Sequence, residues 1–210
     1  MGLISILMED PIVFIALVVT LIFSLVLHEI AHGYVAYRCG DMTAYDQGRL
    51  TLNPLAHLDP IGSLMILFIG FGWAKPVPVN MRNLRNPDRD MIKVAMAGPA
   101  TNFLLSILCL LIFKLMLIIS IDISSSMEKF FSIFIYINLA LCIFNLLPIP
   151  PLDGSRLLSY EVQYKFQRYG PIFLFSLIIL GNISNFNVIG SVMNFLITPF
   201  TNLFESFLNL

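Results

Sequence analysis

Residues 25–36 read LVLHEIAHGYVA. His28 and His32 are four residues apart, so on a helix they share one face and both imidazoles can grip one metal ion. Glu29 stands one step around that helix, within reach of a water on the metal. This is the H-E-x-x-H arrangement of hydrolytic zinc sites, two imidazole ligands and a carboxylate base. Catalytic zinc takes three protein ligands and keeps one position for water, whose pKa it lowers towards neutrality while it polarises a carbonyl. The pattern fixes only three positions and arises by chance in soluble helices. Here it closes an apolar run, residues 12–27, and holds two of the three histidines in the chain. Titratable groups set into such a run are costly in lipid and mark function.

A third ligand is required, and the residues offer two. His57 lies in a polar loop, NPLAHLDPIG. Asp153 follows LLPIPP, where Pro148, Pro150 and Pro151 must end a helix. Irregular backbone at membrane depth is tolerated only where protein covers it or water lines it, so a carboxylate freed there can turn towards a neighbouring helix. Asp153 can equally cap a helix starting near Ser155. His57, if not a ligand, has a structural role or orients a group beside the metal. Two amides in apolar runs stand out. Asn145 can bond the substrate backbone or a developing oxyanion, or serve as glue between helices. Asn102 reads as helix glue, with Gly98 and Ala100 allowing close approach.

Composition sets the elements that carry these groups. Of 210 residues, 58% are hydrophobic and only 12% charged, about half the usual share. The mean hydropathy is +0.85. So few charges cannot cover a soluble fold of this size, which makes the chain an α-helical polytopic membrane protein. A net charge of -1 and the lack of a basic patch argue against nucleic acid. Cys39, Cys109 and Cys142 show no CxxC spacing, and the last two sit in apolar runs as small buried residues. The start, MGLISILMEDP, carries no basic residue, so the first span is expected to be kept.

Apolar runs fall at 12–37, 61–73, 91–121, 130–147, 171–180 and 188–208. A crossing needs roughly 20 residues, which the first, third and fourth satisfy. The run at 61–73 is short and holds Gly62, Gly70 and Gly72, as a re-entrant element or hairpin would. The run at 171–180 spans only if flanking residues, among them the polar NISNFN stretch, extend it. About five to six membrane segments result. Seven of the twelve basic residues lie between Arg38 and Lys93, and three more follow the fourth run. Basic residues mark the cytoplasmic side, so runs one and four descend to it and run three leaves it. HEIAH and Asp153 then meet near the cytoplasm. The stretch 42–54 has the makings of short strands, with Asp46 and Asp59 as turn or capping residues. Pro76 and Pro78 suggest an extended segment whose edge can pair with an unwound substrate.

HEIAH on the first long span, AMAGPATN opening the third run and FNLLPIPPLDG closing the fourth together resemble the site-2 protease family. The likeness runs from about residue 25 to 157 and is closest to the compact prokaryotic branch, without PDZ or CBS modules. It implies one integral-membrane domain over residues 1–210 with a three-helix catalytic core. It also implies zinc held by His28, His32 and Asp153, with Glu29 as base and proton donor, which lifts Asp153 over His57. The implied substrates are transmembrane proteins or peptides cut in or near the lipid bilayer, by a multi-pass enzyme of the cell membrane whose site faces the cytoplasm. Ser155 departs from the pattern, since many relatives carry a second glycine there. The alternative is a membrane protein that binds or transports metal without proteolysis. A transporter would spread polar side chains along its spans, whereas these cluster at one depth.

Overall fold

A computed structural model describes residues 3–183 and 187–208. Among these described residues nine α-helices follow in order: α1 Leu3–Glu9, α2 Pro11–Arg38, α3 Thr43–Asp46, α4 Pro60–Ile69, α5 Pro87–Ile118, α6 Ser125–Asn145, α7 Tyr160–Gln167, α8 Gly170–Ile183 and α9 Val188–Leu208. Three of them, α2, α5 and α6, are long and apolar enough to cross a membrane. The short helices α4 and α8 are apolar too.

Local chemistry sets the ends of the long helices. Asp10 caps α2 by accepting from the Ile12 and Val13 amides, and Pro11 fills the first turn, where no N–H partner is needed. Ser124 caps α6 through the Met127 amide. Lys129 on the first turns of α6 pairs with Asp10 at 3.0 Å, so α2 and α6 run side by side in the same direction. The second half of α2 packs on the first half of α5, which therefore runs the other way. This is the alternation of direction expected from the placement of the basic residues.

The buried face of α2 carries Ala16, Thr20, Ser24, His28, His32 and Ala36, a series at intervals of four. On α5 the series is Asp90, Val94, Gly98, Asn102, Ser106 and Leu110. Both are built from small and polar side chains. Lipid offers helices no hydrophobic reason to associate, so close backbone approach and hydrogen bonds must hold them together. A second cluster, Cys109, Leu110, Ile135, Leu139, Ile197 and Phe204, joins α5, α6 and α9.

The short run at 61–73 forms a hairpin. Asp59 caps α4 through the Gly62 amide, as its capping role suggested. Gly70 ends the helix in the left-handed region, at φ 80°. The chain then returns along α4, and Leu58 pairs antiparallel with Ala74. A Cβ on Gly62 would collide with the Trp73 carbonyl, and one on Gly72 with the Gly62 carbonyl. The glycines are there because two backbones touch.

One expectation needs correction. The stretch 42–54 holds no strand: it begins as the short helix α3, whose start Asp41 fixes by accepting from the Thr43 amide and hydroxyl, and it leads into a single turn at Pro54–Ala56. The run at 188–208 is helical, with Pro199 inside α9. Part of the NISNFN stretch, residues 184–186, lies outside the described residues.

The hairpin is testable. Gly62→Ala forces the two backbones apart, an overpacking that costs about 1–3 kcal/mol. The thermal midpoint in detergent should fall accordingly, and an unchanged midpoint would mean the two arms do not touch.

Candidate metal centre

At roughly 1.5 Å of rise per residue, His28 lies about 15 Å from the C-terminal end of α2. His28 and His32 are 4% and 8% exposed. Their Nε2 atoms stand 3.0 Å apart, and Asp153 Oδ2 lies 3.1 Å from each. Asp153 arrives from the break after α6. Gly154 has no room for a Cβ, which would strike the Leu146 carbonyl, so the chain folds back tightly on the last turn of α6. The Ser155 hydroxyl donates to the Leu152 carbonyl at 2.7 Å and closes the turn. Asp153 makes no capping bond to the helical turn it begins. Its side chain stays 24% exposed, which leaves the cluster open on that side.

Hydrogen bonds behind the rings decide what the cluster can bind. His32 Nδ1 donates to the Val94 carbonyl at 2.7 Å. Behind His28 stands a relay of amides. Asn138 Nδ2 donates to the Phe134 carbonyl at 3.0 Å, which turns Asn138 Oδ1 towards Asn102 Nδ2, also at 3.0 Å. Asn102 Oδ1 must then accept from His28 Nδ1. Both amides are fully buried. With both Nδ1 atoms protonated, the two Nε2 atoms present lone pairs. Two lone pairs and a carboxylate oxygen thus converge with no donor between them, a set that calls for a cation. Atoms around a tetrahedral zinc stand roughly 3.3 Å apart, so an ion fits after the ligands ease outward by a few tenths of an ångström. Gly98 makes room for this, since a Cβ there would run into both imidazoles.

Glu29 is half-buried beside the cluster, and its Oε2 accepts from the Val77 amide at 2.7 Å. His28, His32 and Asp153 are thus together, with Glu29 adjacent. His57 is not among them. It is 1% exposed, its Nε2 donates to the Thr51 carbonyl at 2.8 Å, and its carbonyl accepts from the Lys75 amide. Asn145 lies on the last turn of α6 and donates to the Leu141 carbonyl at 2.9 Å. Asn102 carries more than the helix contact read from sequence, because it also sets the His28 ring. The signal for it was its place in the Gly98, Asn102, Ser106 series.

Fold and cluster define a helical membrane protein with a site for one metal ion. The model of Peptidase family M50 matches residues 114–180. "Putative zinc metalloprotease YwhC" of Bacillus subtilis is 49% identical over 68% of this chain and 67% of its own length. "Putative zinc metalloprotease Rip2" of Mycobacterium tuberculosis strain H37Rv is 31% identical over 80% of this chain and 66% of its own. "Putative zinc metalloprotease MJ0611" of Methanocaldococcus jannaschii is 32% identical over 71% of this chain and 72% of its own. No solved structure matches the chain. The chain belongs to peptidase family M50, the site-2 proteases, and its metal is zinc.

Partners behind a ligating imidazole are worth about 10–100-fold in metal affinity. Asn102→Ala should weaken zinc binding by that order without unfolding the protein, as read by competition with a chelator. An affinity equal to wild type would reduce Asn102 to helix contact alone.

Proposed function

We propose that this protein is an intramembrane zinc endopeptidase that hydrolyses peptide bonds in or near transmembrane segments of other proteins. It acts as one integral-membrane domain, crossing the cell membrane several times with its site towards the cytoplasm. The observation that carries the reading is the convergence of His28 and His32, on a helix apolar enough to cross a membrane, with Asp153 from the break after another such helix. The basic residues between Arg38 and Lys93 support the orientation.

In this reading His28, His32 and Asp153 hold the zinc. The ion supplies an activated water and polarises the scissile carbonyl. Asn102 and Val94 fix the imidazole tautomers so that both Nε2 lone pairs face inward. Glu29 is the general base. The Val77 amide holds its Oε2, which leaves Oε1 to take the proton from the attacking water and pass it to the leaving amine. A helical substrate has its carbonyls bonded and covered, so it must unwind before cleavage. The extended residues 74–80 beside Glu29 offer an edge along which an unwound stretch can lie.

The first test compares zinc content with cleavage of a single-span reporter. Glu29→Gln keeps zinc and fold but should lose cleavage by about 100-fold or more, since an amide takes no proton. Asp153→Ala should lose both zinc and cleavage, while His57→Ala keeps its zinc. Near-wild-type cleavage by the Glu29 variant would end the base assignment.

A second test varies the reporter. Spans with Gly, Pro or Asn near the cut should be cleaved faster than the same spans carrying Leu or Ala, because those residues weaken the helix. Equal rates across a series of equal membrane insertion would refute the unwinding step.

A further inference from the structure

The backbone amide that holds Glu29 belongs to a stretch with no regular structure of its own. Residues 74–80 read AKPVPVN. Pro76 and Pro78 have no N–H, so Val77 carries the sole amide donor of three consecutive residues. That donor goes to Glu29. The Val77 side chain is buried over Gly33, where a Cβ would come within 2.8 Å of Val77 Cγ1 and 2.6 Å of Leu50 Cδ2.

Both ends of the stretch are fastened. At its start, the Lys75 amide donates to the His57 carbonyl and Arg49 Nη2 donates to the Lys75 carbonyl, each at 2.8 Å. At its end, the Asn80 amide donates to Asp41 Oδ2 at 2.6 Å. Asp41 sits just beyond the end of α2 and is fully buried. Its other oxygen accepts from the Thr43 amide at 3.1 Å, from the Thr43 hydroxyl and from Asn83 Nδ2 at 3.0 Å. Burial pushes this carboxyl up, but the bonds from Thr43, Asn80 and Asn83 outweigh it and hold it below the ordinary value. An ionised carboxylate thus fixes the strap to the helix that carries Glu29, through bonds roughly twice as strong as neutral ones.

We propose that Asp41 is a positioning residue for Glu29: by anchoring Asn80 it holds residues 74–80 so that the Val77 amide orients the base carboxylate. This rests on Glu29 being the base. Asp41 touches neither metal nor substrate and acts only through the strap. His57 anchors the opposite end through its backbone.

The test uses Asp41→Asn, which keeps the shape. Its amide settles with the oxygen towards Thr43 and Asn83, because the reverse orientation loses the bonds from the Thr43 amide and Asn83, two instead of one. The NH2 then opposes the Asn80 amide. In the zinc-loaded, full-length variant, amide exchange over residues 74–80 should quicken. The value of kcat on the Gly- or Pro-containing reporter should fall about tenfold or more, beyond any rise in KM, with zinc stoichiometry unchanged. Val77→Pro deletes the donor itself and should do the same. Because both act on one bond, the double variant should be no slower than Val77→Pro alone. Wild-type kcat in Asp41→Asn, unchanged exchange, or losses that multiply in the double variant would each overturn the proposal. Should Asp41→Asn not fold, Asn80→Pro removes the same bond from the other partner and carries the same expectations. Glu29→Gln keeps the two levels apart. If it cleaves, the base assignment fails; if it does not cleave while Asp41→Asn does so normally, only the strap fails.

Discussion

Two imidazole lone pairs and a carboxylate oxygen meet within 3.0–3.1 Å, largely out of water. Repulsion among them is little screened where the dielectric is low. A cation between the three would offset that repulsion, provided the groups behind the rings hold them in this tautomer. Much of the surrounding sequence follows from that constraint. Gly98 is bare because the rings lie against it. Asn138, Asn102 and the Val94 carbonyl exist as fixed dipoles behind the rings. Three prolines and Gly154 bring a carboxylate to a helix on which the sequence alone cannot place one.

What the sequence disclosed depended on range. The four-residue spacing of His28 and His32 fixes a shared face by local geometry. Prolines after Asn145 must end a helix wherever they occur, and three glycines in a short apolar run mark a backbone that doubles back. The alternating direction of the three long helices was legible in the placement of the basic residues between them. Tertiary facts were harder. Asn102 looks like any amide in a span until the ring behind it is known. Asp41 gave no local signal, since its partners lie at Asn80 and Asn83. The same hidden carboxylate fixes the start of α3 through Thr43, at the head of a stretch where strands were expected. His57 attracted notice as a third histidine, yet its contacts with Thr51 and Lys75 are those of a loop anchor.

The long helices also show how lipid changes the meaning of a buried face. In water, a face of Ala16, Thr20, Ser24 and Ala36 would bury too little apolar area to hold a helix in place. In a bilayer the larger side chains gain nothing by turning inward, so Ile15, Val19 and Phe23 point outward and remain exposed. The inner stripe is left for small groups, and polar ones can join it at modest cost. His28 and His32 extend a packing pattern that begins at Ala16, about three turns before His28.

Asp153 follows His32 by 121 residues. During synthesis, the paired imidazoles enter the bilayer long before the carboxylate leaves the ribosome. Until then the growing chain offers a metal ion two nitrogens without the carboxylate. On the proposed reading, hydrolytic competence would arise late, after the chain has turned back at its prolines. A ribosome-bound fragment ending before that turn would carry the HEIAH segment in full yet lack the carboxylate that meets it.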